Sequence, residues 1–277
     1  MNNTFNIKRF GRYFAYDLKS RWNDQRVFLA VFALLPIIFY LVFLFFSMVG
    51  HSFQVSSDYP LTRPPLPIRS SVFVMAASIF LVLFPSKAYG FLTDKAEGSA
   101  WIELPASRLE KFTSMMLISL IVIPVIFFLV YLISDGLVCL LDKSCGGSVF
   151  SAWSNIHLNG IDDPEEVLFV NKGFWFMVNG VLQTVSVFLL GALIFKKGKV
   201  AKTILVLFAL SIILSIIFGI IVSTIGPESF GEGFKLWVKG HADRLDFWFN
   251  LCMNTVLAVV VIGCGIWSWF RVKNLQH

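Results

Sequence analysis

The sequence predicts an all-α membrane protein that crosses the bilayer six times. Three observations predict it. Hydrophobic residues make up 57% of the 277 and charged residues 14%, where a soluble domain sits near half apolar and a quarter charged. The apolar residues, thirty Phe among them, gather in long runs. The basic residues flank those runs and form no basic domain, which argues against nucleic-acid binding. At about 1.5 Å per residue, a helix needs about 20 apolar residues to cross a bilayer core. Runs at about 27–49, 72–93, 112–134, 174–195, 203–226 and 247–270 meet that length.

Orientation follows from Lys and Arg. With the N-terminus inside, sixteen fall on the inner side and seven on the outer, so the positive-inside rule places both termini in the cytoplasm. The loop Lys196–Lys202, with Lys196, Lys197, Lys199 and Lys202, is the firmest pin. The first apolar run begins near Val27 with no A-x-A motif behind it, so it reads as a span and not a cleaved signal.

Residues 1–26 precede the first span and read as an amphipathic elbow helix. Within 5–22, Ile7, Phe10, Phe14, Leu18 and Trp22 fall on one side, and Lys8, Arg9, Arg12 and Lys19 on the other. Such a helix lies in the membrane interface, as an anchor or also as a contact for a cytoplasmic partner. Asp17 and Arg21 fall near its apolar edge. In the second run Lys87 snorkels from the span's end, or the span stops near Pro85. Pro124 predicts a kink in the third.

The outer loops differ. The first, around Ser56 to Ser70, carries four prolines and reads as extended. The second, about 135–173, holds Asp163-Pro164-Glu165-Glu166, which reads as a helix start. Asp135, at its beginning, reads as interfacial. Cys139 and Cys145 can pair if that side is oxidising, whereas Cys252 and Cys264 read as packing residues. The third, about 227–246, mixes apolar and charged residues as an interfacial segment does.

The inner loop between the second and third spans holds two capping boxes. Asp94 with Glu97 predicts the start of a short helix, and Ser107 with Glu110, after Pro105, the start of the third span. Exposed Trp101, Ile102 and Leu104 beside charges would form a docking knob for a cytoplasmic protein, or fold back onto the lipid interface.

The run Asp94-Lys95 through Trp101-Ile102-Glu103-Leu104-Pro105-Ala106-Ser107-Arg108-Leu109-Glu110-Lys111-Phe112 resembles the corresponding loop of membrane subunits of bacterial type-2 ABC exporters, with the Leu-Pro-Ala-Ser-x-x-Glu-Lys-Phe core as the closest match. Six spans and inner termini agree. The resemblance implies a coupling helix that docks in a separate ATPase subunit, with Asp94, Glu97, Trp101, Glu103 and Leu104 as the docking surface and Ser107 and Glu110 fixing the third span. It implies a homodimer or a pairing with a paralogous membrane subunit, residence in the bacterial inner membrane, and no cofactor in this chain. Segment 227–246, with Glu228, Glu232, Lys235, Lys239 and Asp243, is more polar than the family's re-entrant helices.

Within the fifth span, Ser211, Ser215, Gly219 and Ser223 recur every four residues, a pattern that lets helices approach closely in the chain or across a dimer seam. Asn179 and Gln183 lie one turn apart in the fourth span, and Asn250 and Asn254 in the sixth. They either hydrogen-bond between helices or line a path.

Several functions are excluded by motif. There is no G-x-x-x-x-G-K-[ST], H-E-x-x-H or G-x-S-x-G. The four His scatter through loops and the tail, and no central charges resemble a proton relay. No catalytic role is expected for this chain. A non-transporting scaffold, or a subunit that transmits force without moving a substrate, stands as the alternative to an exporter.

Overall fold

The computed structural model describes residues 5–53, 64, 66–142, 174–225 and 242–274, and among these it is helical apart from short turns, with no strand. The helices are α1 (Ile7–Phe53), α2 (Leu66–Tyr89), α3 (Lys95–Glu103), α4 (Arg108–Leu117), α5 (Ile123–Leu141), α6 (Phe174–Ile194), α7 (Lys199–Ile225) and α8 (Ala242–Lys273). Six helical stretches are long and apolar enough to cross a membrane, with α4 and α5 counting as one. The segments read as a helix start at Asp163, around Cys145, and as an interfacial stretch at 227–241 lie outside the described residues; 242–246, the end of that stretch, is helical and opens α8.

The residues fall into two compact units, one of α1, α2, α4 and α5, the other of α3 and α6 to α8.

In the first unit α1 runs unbroken for 47 residues. This corrects the expectation of a separate elbow at 1–26. No Gly or Pro occurs from Arg12 to Leu35, so nothing in the backbone breaks the helix between the basic stretch and the first span. Its protein-facing stripe lies beside the predicted interfacial one. Tyr13, Asp17, Gln25, Leu29, Phe32, Pro36 and Tyr40 are buried, with Arg21 on the same stripe, while Ile7 and Trp22 are exposed.

The centre of this unit is aromatic. Phe80 of α2 stacks on Phe127 of α5 at 4.3 Å and on Phe28 of α1 at 5.3 Å, and meets Phe32 edge-on. Stacked and edge-to-face geometries are those the ring quadrupole favours. α2 continues through Pro85 and Lys87 to Tyr89, and the Lys87 ammonium lies 4.1 Å from the centre of the Phe28 ring. Between α4 and α5, residues Ile118–Val122 form a π turn. It lies where the Pro124 ring would press on the Leu120 carbonyl, so the irregularity expected at Pro124 takes the form of a widened turn just before it.

At the far end of the unit Arg69 and Asp135, both almost fully buried, form an ion pair, and Tyr40 donates to Asp142. Asp135 is therefore held inside the protein and not at its surface. α5 extends past it to Leu141, and a buried carboxylate is stable only against a partner such as Arg69. Arg69 also lies 3.1 Å from the sulfur of Cys139, which is disulfide-bonded.

In the second unit α6 packs against α7 and α8. The α6–α7 link is four residues long and turns at Gly198, whose φ of +62° suits glycine. α6 and α7 meet closely at Gly191, where a Cβ would overlap Thr203 Oγ1. Beyond that contact α7 is bare from Ile204 to Ile220. On α8, Trp248 and Trp267 are both exposed and lie about 29 Å apart along the axis. That matches a bilayer core bounded by two aromatic belts, about 30 Å apart.

Candidate functional site

The candidate site is the stretch from the end of α2 to the start of α4. Asp94 stands at the N-cap of α3, as predicted, in an extended conformation, but its side chain makes no capping hydrogen bond. The helix starts at the expected residue without the expected bond. Glu97 is exposed in its first turn. α3 ends at Leu104, and Ser107 then caps α4.

α3 has two faces. Gly98 and Trp101, three residues apart, are buried; Glu97, Ala100 and Glu103, also three apart, are exposed. Asp94 is exposed, and Ile102 and Leu104 are half-buried. The exposed Trp101 of the sequence reading is thus corrected. The residue is 6% exposed, as expected for a large apolar side chain on the inward face of a short helix. Among the described side chains, the charged groups that α3 and its cap offer to solvent, Asp94, Glu97 and Glu103, are acidic. Ahead of it, residues Gly90–Thr93 form a 3-10 turn whose Gly90 carbonyl accepts from Lys199 at the start of α7.

The start of α4 is held much more firmly. The Ser107–Glu110 capping box is complete. The Glu110 N–H donates to Ser107 Oγ at 3.2 Å, and the Ser107 N–H donates to the Glu110 carboxylate at 2.9 Å. The same carboxylate accepts from the Asn6 N–H at 2.8 Å and from Arg9 Nε and Nη2, both at 2.7 Å. Asn6 in turn caps α1, its Oδ1 accepting from the Lys8 and Arg9 N–H groups. One fully buried carboxylate therefore serves the N-termini of two helices, where both helix dipoles favour a negative charge. The Arg9 guanidinium first, then the Asn6 and Ser107 N–H groups, hold the Glu110 carboxyl at about 2, against the opposing effect of burial.

Two further bonds tie α1 down. Buried Ser114 donates to Asp17 at 2.9 Å, and Arg21 donates to the Ala88 carbonyl near the end of α2 at 2.8 Å. That carbonyl belongs to the last turn, where α-helical partners run out. Asp17 and Arg21, which blurred the amphipathic pattern, are there for these contacts. Composition alone could not reveal Arg9–Glu110, Asp17–Ser114 or Arg69–Asp135. Only the position of Asp17 on a four-residue stripe with Tyr13 and Gln25 hinted at a polar seam.

The other predicted residues fall elsewhere. Asn179 donates to Asn254 Oδ1 at 3.1 Å, and Asn254 to the Asn250 backbone carbonyl at 2.8 Å, so the Asn179 and Asn254 side chains are engaged in bonds within and between α6 and α8. Gln183 is half-buried. Ser211, Ser215, Gly219 and Ser223 are all exposed, and nothing lies within 4 Å of a Cβ built on Gly219. Among the described residues nothing covers the stripe; the close approach of α7 is made at Thr203 against Gly191. Among the described residues no group of three or more His, Cys, Asp or Glu is placed to hold a metal ion. No family model, no curated protein and no solved structure matches this chain.

Proposed function

We propose that this chain is the membrane-spanning subunit of an ABC-type exporter, and that α3 is the surface that receives a separate ATPase. The observation that carries the reading is a nine-residue helix set between two spanning helices, with an exposed acidic face and a clamped exit. An ATPase that closes on ATP would move α3. The Leu104–Ala106 break would pass that movement to α4, whose first turn is held rigid by Glu110. The burial of Trp101 sharpens the partner: its groove should be basic, to meet Asp94, Glu97 and Glu103. No catalysis or cofactor is assigned to this chain, and ATP would be hydrolysed by the partner.

An even number of spans would put both termini on one side, and the basic bias supports the cytoplasmic side; residence in a bacterial inner membrane rests on the resemblance of the 94–112 loop. The disulfide at Cys139, near the end of α5 remote from α4, suits an oxidising outer compartment. The bare α7, with its Ser211-to-Ser223 stripe, is compatible with a second copy or a paralogous subunit.

Purification from native membranes with identification of soluble partners tests the reading. A co-purifying P-loop ATPase supports it, and its absence from an intact preparation counts against it. ATP hydrolysis by the reconstituted complex without movement of any cargo would favour the force-transmitting alternative.

A further inference from the structure

The second unit gathers positive charge at one end. α6 ends at Ile194, the link 195–198 follows, α7 begins at Lys199, and Arg271 in the last turn of α8 donates to the Ile194 carbonyl at 3.4 Å. Lys196, Lys197, Lys199, Lys202, Arg271 and Lys273 therefore share this end. Lys199 is committed to the Gly90 carbonyl, whereas Lys196, Lys197, Lys202 and Arg271 are exposed. Their own helices supply no counter-charge: no Asp or Glu occurs from Phe174 to Ile225 or from Phe247 onward. Asp243 and Asp246 lie at the opposite end of α8. The acids at the basic end are those of α3, which follow the Gly90 turn in sequence.

The height of the cluster along the bundle is also fixed. Exposed Trp267 and Phe270 mark one aromatic belt, and Arg271 follows immediately. On α7 the bare apolar surface begins directly after Lys202, with Ile204, Leu205 and Phe208 half to two-thirds exposed. Cations at headgroup level, opening onto uncovered apolar helix, match an amphiphile with an anionic head.

We propose that Lys196, Lys197, Lys202 and Arg271 form a binding surface for the phosphate of an anionic phospholipid, its acyl chain lying along the start of α7. A free phosphate would leave the apolar half of this surface unused.

The test uses the full chain in a nonionic detergent, titrated with phosphatidylglycerol or phosphatidylcholine, with bound lipid counted by native mass spectrometry. The wild type should retain phosphatidylglycerol in preference, and high salt should remove the preference. The quadruple variant K196Q/K197Q/K202Q/R271Q should bind phosphatidylglycerol about tenfold or more weakly, since each basic residue contributes to such binding. A control removing four exposed charges from α1 (K8Q/R12Q/K19Q/R26Q) should retain it. If the quadruple variant does not fold, the charge-preserving K196R/K197R/K202R variant and the salt titration of the wild type decide. An unchanged quadruple variant, an equal loss in the α1 control, a salt-insensitive preference, or full competition by water-soluble glycerol phosphate would each overturn the proposal.

Discussion

Replacing Glu110 by alanine should release two helix starts at once. Its carboxylate accepts four hydrogen bonds, from Asn6, Ser107 and twice from Arg9. Hydrogen bonds to a charged group contribute about 1.5–3 kcal/mol each when buried, and a lost N-terminal cap costs about 1 kcal/mol. The two backbone bonds are the secure part of the sum. The Arg9 side chain is 36% exposed, so solvent can replace much of what its bonds contribute. The bonds are also not additive, because they share one acceptor. The net loss worked from this geometry is about 2–4 kcal/mol. Ser107→Ala, which removes only its half of the capping box, should cost about 1 kcal/mol. Hydrogen exchange gives the local readout. Protection should fall at both 6–10 and 107–111 in Glu110→Ala, and mainly at 107–111 in Ser107→Ala. A Glu110→Ala protein within about 0.5 kcal/mol of wild type, as for an ordinary surface change, with unchanged exchange at 6–10, would refute the shared-carboxylate account.

Three further outcomes follow from the same contacts. Because the Glu110 carboxyl is lowered to about 2 from its ordinary 4.5, its contribution is full above about pH 4.5 and is lost as pH falls through 2; exchange protection at 6–10 should follow that window and lose it in Glu110→Gln. Arg69→Ala should destabilise the first unit by about 3–5 kcal/mol because it strands buried Asp135, while Arg69→Met with Asp135→Leu should recover most of the loss in thermal unfolding. Gly191→Ala should cost about 1–3 kcal/mol through overlap with Thr203, and Thr203→Ala in the same chain should rescue it; equal stability of both single variants would contradict the close approach of α6 and α7.

Much of this architecture is legible in the sequence because apolar run length and basic flanks are strong signals. Each of the six predicted spans falls on a helical stretch long and apolar enough to cross a membrane, and the Ser107–Glu110 box forms as its residue types require. The rest depended on tertiary partners that local pattern does not carry. The stripe Ile7, Phe10, Phe14, Leu18 and Trp22 has good amphipathic spacing, yet the neighbouring Tyr13–Asp17–Gln25 stripe is buried, because Ser114 offers Asp17 a hydrogen bond. Trp101 among charges looks like an exposed anchor when read alone; the three-residue spacing to Gly98 puts it on the inward face. Asp94 reads as a capping residue, but its side chain does not bond the helix it precedes. The small-residue stripe of α7 is exposed among the described residues, since a periodicity names a face and not what covers it.

The central claim is that α3 receives an ATPase on its acidic face, and site-specific crosslinking tests it most directly. Single cysteines at Glu97 and Glu103, exposed on that face, would be introduced into a chain whose Cys252 and Cys264 are replaced by serine. The membranes would hold the co-purifying ATPase, and a cysteine at exposed Ile213 of α7 would serve as the control. The account predicts adducts to the ATPase from positions 97 and 103, strengthened or weakened by ATP, and none from 213. Folded protein that gives no adduct at 97 or 103, or gives one equally at 213, would contradict it.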